Sequence, residues 1–511
     1  MSAVVKSIGL KGLEGYCVQE EVQVMEGVES MIVVGLPDAS VKESRERVSS
    51  ALHSMGHPLA DKRVVVNLSP SEQRKNGPLF DLAIALGVLK SGKFIREKIP
   101  VGTAFIGAVS LDGSVVTVQG MLSAVLAAKR IGMKRLFLPF DPGLPPIDID
   151  GLELVYVGSV QDAIQCLAGR NTLPFFPQKE SESVEWVHER DFSHVYGHEF
   201  AKRALEISAA GGHNVLMDGP PGCGKSLLAE TYPSILPPLS KEEQLEKVSL
   251  YQLADASYSV LAASPYRHPH HSASAVSIIG GGSNPKPGEV SLAHNGTLFL
   301  DELAEFTKKT LDMLRQPLES GKVTISRAHS TVTYPAKFTM IAAMNPCPCG
   351  CLGSSRHYCT CSDKQVASYR NKVSGPIRDR MDILLRLNGV SLVDGEKEER
   401  EDSAAVRKRV EGARGRQYKR YGERVLNGDV TYDRLVADGP LTREQQERIH
   451  RLCMKHGLSN RVQIKVIRLA RTIADLSGTE VISDEMIDEA FGLRGVGGRV
   501  VPVTTQTVSK R

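Results

Sequence analysis

One stretch constrains the fold more than any other. The apolar run Val215-Leu-Met-Asp218 leads at once into Gly219-Pro-Pro-Gly-Cys-Gly-Lys-Ser226, and a helical pattern follows at Leu227-Leu-Ala-Glu230. A strand, a glycine loop and a helix in that order make a cradle for a polyphosphate, because the spacing fits G-x-x-x-x-G-K-[ST] in the context that gives the motif meaning. Gly222 and Gly224 can adopt backbone angles that turn successive N–H groups inward, and the helix start adds partial positive charge. Lys225 is placed to reach the β- and γ-phosphates, and the Ser226 hydroxyl to ligate Mg²⁺. The expected lining of the phosphate site is therefore Gly219, Pro220, Pro221, Gly222, Cys223, Gly224, Lys225 and Ser226, with ATP and Mg²⁺ as the groups held.

A nucleotide site of this kind needs carboxylates at the edge of a neighbouring strand. Thr297-Leu-Phe-Leu-Asp301-Glu302 supplies two. Asp301 can hold Mg²⁺ through water, and Glu302 can polarise an attacking water. A third apolar run, Phe338–Met344, ends in Asn345, whose amide suits contact with a γ-phosphate or that water.

The rest of the chain falls into blocks. Its 511 residues predict about three domains at roughly 100–200 residues each. Residues 1–170 alternate β-branched runs with helical stretches: strands at Met31–Val34, Arg63–Leu68 and Ala104–Gly107, helices at Val41–Met55 and Met121–Ile131. Residues 171–190 read as a linker, and 191–390 as a parallel α/β core in which apolar runs end in Gly, Asp or Asn. Residues 391–495 change to charged helices at Ser403–Tyr421, Thr442–Lys455, Arg461–Leu476 and Ser483–Leu493, and 496–511 form a polar tail. A net charge of +4 permits local basic patches and predicts no partner by itself. No apolar run approaches the length of about 20 residues that a bilayer requires, and Met1–Tyr16 has no signal core. A cytoplasmic protein without membrane contact is expected.

The combination of Gly219–Ser226, Asp301-Glu302 and Asn345 resembles the AAA+ ATPases. Longer runs narrow the resemblance to the magnesium-chelatase-like YifB/ComM family: Ala201-Lys-Arg-Ala-Leu-Glu-Ile, Pro287-Gly-Glu-Val-Ser-Leu-Ala-His, Leu314-Arg-Gln-Pro-Leu-Glu, Asn345-Pro-Cys-Pro-Cys-Gly and Ala470-Arg-Thr-Ile-Ala-Asp-Leu. The resemblance implies an α/β chain with a Lon-protease-like α+β domain first, the AAA+ P-loop sheet in the centre and a helical lid last. It implies that Arg380, in Gly375-Pro-Ile-Arg-Asp-Arg-Met-Asp, is an arginine finger reaching a neighbouring subunit's nucleotide, and that Arg461 is the second sensor arginine. Arg378 stands where the family more often has an apolar residue. His198, in Val195-Tyr-Gly-His, replaces the family's usual glutamine near adenine.

The resemblance further implies a homo-oligomer, a hexameric ring, that couples ATP hydrolysis to DNA translocation, with helicase-like branch migration in recombination or natural transformation. A magnesium-chelatase-type motor subunit and a protein-remodelling AAA+ ATPase are the alternatives. Lys322–Tyr334 alternates like two strands around a turn and resembles the pore hairpin of ring helicases, with Arg327 and His329 near its tip; packing between subunits is the other reading. Ser272–Glu289, rich in Gly and Ser, looks like a second pore-side insertion, and His268, His270 and His271 precede it; a structural or inter-subunit role is expected of them, with metal ligation as the alternative. In the first domain, the positions matching Lon's serine and lysine are Leu79 and Leu122, which excludes a protease dyad. Lys62, Arg63, Arg74 and Lys75 are expected on a basic or merely solvated surface.

Five of nine cysteines fall within Cys347–Cys361. Two C-x-C pairs can offer four thiolates tetrahedrally, which suits structural Zn²⁺, with unmetallated or redox-active thiols as the alternative. The family's four are Cys347, Cys349, Cys359 and Cys361; Cys351 is extra, and His357 is a competing ligand.

Overall fold

A computed structural model describes residues 2–141, 149–170, 190–257, 260–282, 285–327, 330–353, 358–389, 400–439 and 441–495. The chain divides into two compact units.

The first unit is built mainly from the chain before Val184. Its sheet runs Ser2–Lys11, Glu14–Glu26, Lys62–Ser69, Ser30–Val34 in spatial order, antiparallel except for the last pair. Strict alternation turns Val5, Val18, Val22, Val64 and Val66 to one face, where all are buried. Helix Asp81–Ser91 lies on that face, and ten of its eleven residues are buried, so it carries no polar stripe. Gly87 lets it approach closely: a Cβ there would stand 2.6 Å from a Val22 methyl. The carboxylate of Asp81 is buried but paired, with Arg47 Nε at 2.7 Å and the Ser44 hydroxyl. Glu20 points into the same core with neither oxygen partnered among the described residues. Burial, with Asp81 adding to it, pushes its carboxyl well above the usual range. A parallel sheet of Thr103–Phe105, Arg135–Leu138 and Glu153–Tyr156 completes this core.

Two later stretches join the first unit: the end of helix Lys241–Ala254, and the hairpin of Lys322–Arg327 and Ser330–Pro335 beyond Val323. Gln119 Nε2 donates to the carbonyls of Gln252 and Leu253 at 3.0 and 3.2 Å. Val332 and Tyr334 are buried.

In the second unit a five-stranded parallel sheet has the order Tyr266–Arg267, Gly296–Leu300, Phe338–Met344, Val215–Asp218, Ile383–Arg386. Helix Ser403–Tyr421 packs on helix Glu199–Gly211 and on Asn460–Ser477, giving sheet and C-terminal helices one apolar core. At the N-terminal edge of the strands, Asp382 accepts from Asn214 N at 2.9 Å and pairs with Lys465 Nζ at 2.7 Å. Burial opposes its charge, yet Lys465 and the neighbouring donors hold Asp382 below the usual carboxylate range. Beside it, burial pushes His213 down to about 4, and its Nε2 meets Thr472 Oγ1 at 2.8 Å.

The strands and helices expected from the sequence lie within about two residues of those observed. Among the elements it did not foresee are the opening hairpin Ser2–Lys11/Glu14–Glu26 and helix Asp81–Ser91. Lys75 is a correction: its side chain is fully buried, with Nζ donating to the Pro70 carbonyl, so it belongs to no basic surface. Arg63 and Arg74 are exposed, while Lys62 lies over the Phe94 ring. His329, His357, residues 171–189 and 496–511 lie outside the described residues. Among those described, no helix is long and apolar enough to cross a membrane.

Candidate functional site

The strand Val215–Asp218 lies between Phe338–Met344 and Ile383–Arg386, parallel to both, and a parallel sheet of this kind offers a ligand crevice at the carboxyl ends of its strands. The glycine loop fills that crevice. Gly222 and Gly224 have φ of +73° and +88°, a conformation that only glycine takes freely. Gly219 is needed for space: a Cβ would stand 2.7 Å from the Leu387 carbonyl oxygen.

Lys225 is almost completely buried, and its ammonium donates to the carbonyls of Gly219 and Pro220 at 2.6 and 2.9 Å and to Asn345 Oδ1 at 3.2 Å. The Ser226 hydroxyl donates to Asp301 Oδ2 at 3.1 Å, and the other Asp301 oxygen accepts from Glu302 N at 2.8 Å. Five predicted residues from three adjacent strands thus meet at one place: Lys225 and Ser226, Asp301 and Glu302, and Asn345. A cation, a hydroxyl paired with a carboxylate, a second carboxylate and a neutral amide around an N–H-rich loop can together hold a polyphosphate with a divalent cation. The loop's positive-φ glycines and the Ser226–Asp301 oxygens fit such a ligand.

His198, the start of helix Glu199–Gly211, stands with a ring nitrogen 3.5 Å from the place of a Gly224 Cβ, and the Cys223 backbone is its hydrogen-bond partner. Burial depresses its basicity.

The sequence did not single out Asp218 and Arg370. Asp218 ends the strand before the glycine loop, with one buried oxygen unpartnered among the described residues. Burial raises its pKa against the opposing pull of Arg370, Arg386, Lys225 and Arg378. Arg370 Nε holds the Pro346 carbonyl at 3.3 Å, just past Asn345, while Arg378 donates to the Arg370 carbonyl at 2.5 Å. Only an apolar run ending in an acid hinted at Asp218.

Arg380 and Arg461 are not part of this cluster. Both line a cavity at the opposite, N-terminal edge of the sheet, with Asn214, Asp382, Lys465 and Arg468. A strand of four residues, about 13 Å, separates that edge from the glycine loop. Arg380 donates to Glu319 and to the Pro376 carbonyl, each at 2.8 Å. Arg461 is exposed.

The thiols of Cys347, Cys349, Cys359 and Cys361 all lie within 4.8 Å of one another. Cys347 is 3.4 Å from Cys349 and 3.6 Å from Cys359, and Cys349 is 3.6 Å from Cys359. These separations far exceed a disulfide bond. They approach the ~3.8 Å edge of a tetrahedron of sulfurs about 2.3 Å from a central zinc. Cys351 is outside that group of four; its thiol donates to the Cys349 carbonyl at 3.4 Å and also lies against the Cys349 thiol.

Similarity to known proteins extends over nearly the whole length. The family described as "Magnesium chelatase, subunit ChlI" matches residues 191–394; "Subunit ChlI of Mg-chelatase" matches 20–142, and its C-terminal counterpart 400–494. The chain is 35% identical over 503 residues to the protein YifB of Escherichia coli, covering 97% of each. It is 35% identical over 501 residues to the competence protein ComM of Haemophilus influenzae, again over 97% of each. The chain belongs to the YifB/ComM family of magnesium-chelatase-like proteins. Its AAA+-like parallel sheet and C-terminal helices are those of that family. The N-terminal similarity reaches further: 149 residues are 30% identical to Lon protease 2 of Bacillus subtilis, over 28% of this chain and 26% of that one. Leu79 and Leu122, the residues expected at the places of Lon's serine and lysine, are both buried.

Proposed function

We propose that the protein is a cytoplasmic ring-forming ATPase, hexameric when working, that couples ATP hydrolysis to movement along DNA and to branch migration in recombination or natural transformation. The convergence of Lys225, Ser226, Asp301, Glu302 and Asn345 around one glycine loop carries the ATPase reading. The likeness to a relative named for competence points it toward DNA.

In this reading Gly219–Gly224 and Lys225 bind the phosphates, and Asn345 orients the terminal one. Ser226 and Asp301 would hold Mg²⁺, which neutralises phosphate charge when bound. Glu302 takes the proton of the attacking water. Arg380 and Arg461 both act on the nucleotide of a neighbouring protomer; their shared place at the far edge of the sheet supports this, because neither can easily serve its own loop. The hairpin Lys322–Pro335 works against the DNA backbone. Cys347, Cys349, Cys359 and Cys361 hold a structural zinc that clamps the chain leaving Asn345. The first unit is a scaffold without proteolytic activity.

One observation favours a second reading: the matching family descriptions name magnesium chelatase. A chelatase motor would respond to a porphyrin and a partner subunit. ATP turnover measured with single-stranded, duplex and forked DNA, and separately with a porphyrin, divides the two. Stimulation by DNA that fades with salt, as counterion release requires, supports the translocase. Stimulation by porphyrin alone overturns it.

A further inference from the structure

Cys351 stands outside the four-thiol group, yet its sulfur lies against one member of it, Cys349. The four differ in exposure: Cys347 is buried, Cys359 and Cys361 are half-buried, and Cys349 is exposed. The most accessible sulfur of the group therefore has beside it a fifth that no tetrahedral metal would hold. The residue between them, Gly350, sits in the left-handed region at φ +76°, where its N–H donates to the Cys347 carbonyl at 3.0 Å. Leu352 N donates to Cys347 Sγ at 3.4 Å and closes the turn. This turn rests on the phosphate loop. A Cβ on Gly350 would stand 2.7 Å from Pro221 Cδ, so the backbone lies against the loop as closely as glycine allows.

We propose that Cys349 and Cys351 are a peroxide-reactive pair, whose disulfide opens the four-thiol site and shifts Gly350 on Pro221 so that the phosphate loop holds nucleotide less tightly. The bridge itself needs no metal. Its effect on a metal rests on the zinc proposed above, and its effect on binding rests on the glycine loop as the ATP site. The oxidant is a hydroperoxide, in the simplest case hydrogen peroxide. The Cys349 thiolate attacks one peroxide oxygen, the O–O bond breaks, and the departing hydroxide is protonated by solvent, leaving a sulfenic acid. Cys351 then attacks the Cys349 sulfur. The S–S bond forms, the S–O bond breaks, and the leaving hydroxide takes the Cys351 proton to become water. The electron pair lost by the two sulfurs is the one the peroxide gains. Cys347 and Cys359 also lie near Cys349, at 3.4 and 3.6 Å, but in a metal-filled site both are held as ligands. Cys351 is the thiol left free to complete the bridge. Drawing the sulfurs to ~2.05 Å closes a ring through the Gly350 backbone, and the turn must change where it meets Pro221.

The test uses the full-length protein, reduced, with metal content and ATP affinity measured first. After hydrogen peroxide, peptide masses should show Cys349 joined to Cys351, and a chromophoric chelator should take up released zinc. The Kd for ATP should rise by about fivefold or more. Dithiothreitol with added zinc should reverse all of these. Cys351→Ser should match the reduced parent in metal content and ATP affinity. Under peroxide it should form no such bridge and release zinc about threefold or more slowly than the parent. Peroxide that joins Cys349 to Cys347, Cys359 or Cys361 instead, or releases zinc equally fast from Cys351→Ser, overturns the pair. A Cys349–Cys351 bridge with unchanged Kd overturns the link to the phosphate loop. A reduced parent that lacks zinc or ATP affinity fails the earlier assignments of those sites instead, and the peptide masses still decide the pair.

Discussion

Replacing Arg380 with alanine separates stability from catalysis within one residue. Its ion pair with Glu319 is 2.8 Å long, but the Glu319 side chain is 73% exposed. Such a pair contributes about 0.2–1 kcal/mol. The loss should lower Tm by no more than about 2–4 °C. A finger supplied to a neighbour, in contrast, is worth on the order of 10³–10⁵ in turnover. Arg378 cannot stand in for it, because its guanidinium is already committed to the Arg370 carbonyl beside the glycine loop. Arg380→Ala is therefore expected to fold normally and to be nearly inactive.

Mixing gives the sharper number. Arg380→Ala keeps its own Lys225, and Lys225→Ala keeps its own Arg380. In rings assembled at random from equal amounts, a site works when its owner is the first variant and its neighbour the second. That is about one site in four, so the mixture should recover about a quarter of parental turnover when each variant alone shows almost none. The assay is phosphate release from co-refolded or subunit-exchanged mixtures. No recovery above the separate variants, or parental turnover by Arg380→Ala alone, would refute action on a neighbour.

Metal analysis of the purified protein should find one zinc per chain; Cys359→Ser should lose it, and Cys351→Ser should keep it. Because burial puts His213 at about 4, below its unfolded value near 6.5, the folded state excludes a proton that the unfolded chain binds. The stability tied to neutral His213 is full above pH 6.5 and is lost as pH falls toward 4, by up to about 3 kcal/mol; His213→Gln should flatten that part of a denaturation-against-pH curve. Casein incubated with the protein and ATP should remain intact, since a leucine at either dyad position can neither attack nor take a proton; cleavage would contradict the scaffold role.

The core of the candidate site was legible because its chemistry is local. Lys225 and Ser226 share one loop, Asp301 and Glu302 are adjacent, and Asn345 directly ends its strand, so each announces itself at a strand end. The charged C-terminal helices were legible through their 3.6-residue periodicity. Helix Asp81–Ser91 was not, because a helix buried on every side has no such period. The opening hairpin was masked by Ser7 and Glu20 at inward positions, where alternation calls for apolar residues. Lys75 reads as surface in any sequence, and only the fold brings Pro70's carbonyl to it. That Arg380 and Arg461 line one cavity depends on how the C-terminal helices dock on the sheet, across about eighty residues of chain.

The most direct trial of the whole account is nucleotide consumption by Lys225→Ala beside the parent at saturating ATP. The ammonium that now rests on Gly219, Pro220 and Asn345 is the group meant to meet the phosphates, so its removal should leave no turnover above background, with or without DNA. Parental rates from Lys225→Ala would contradict the account at its root.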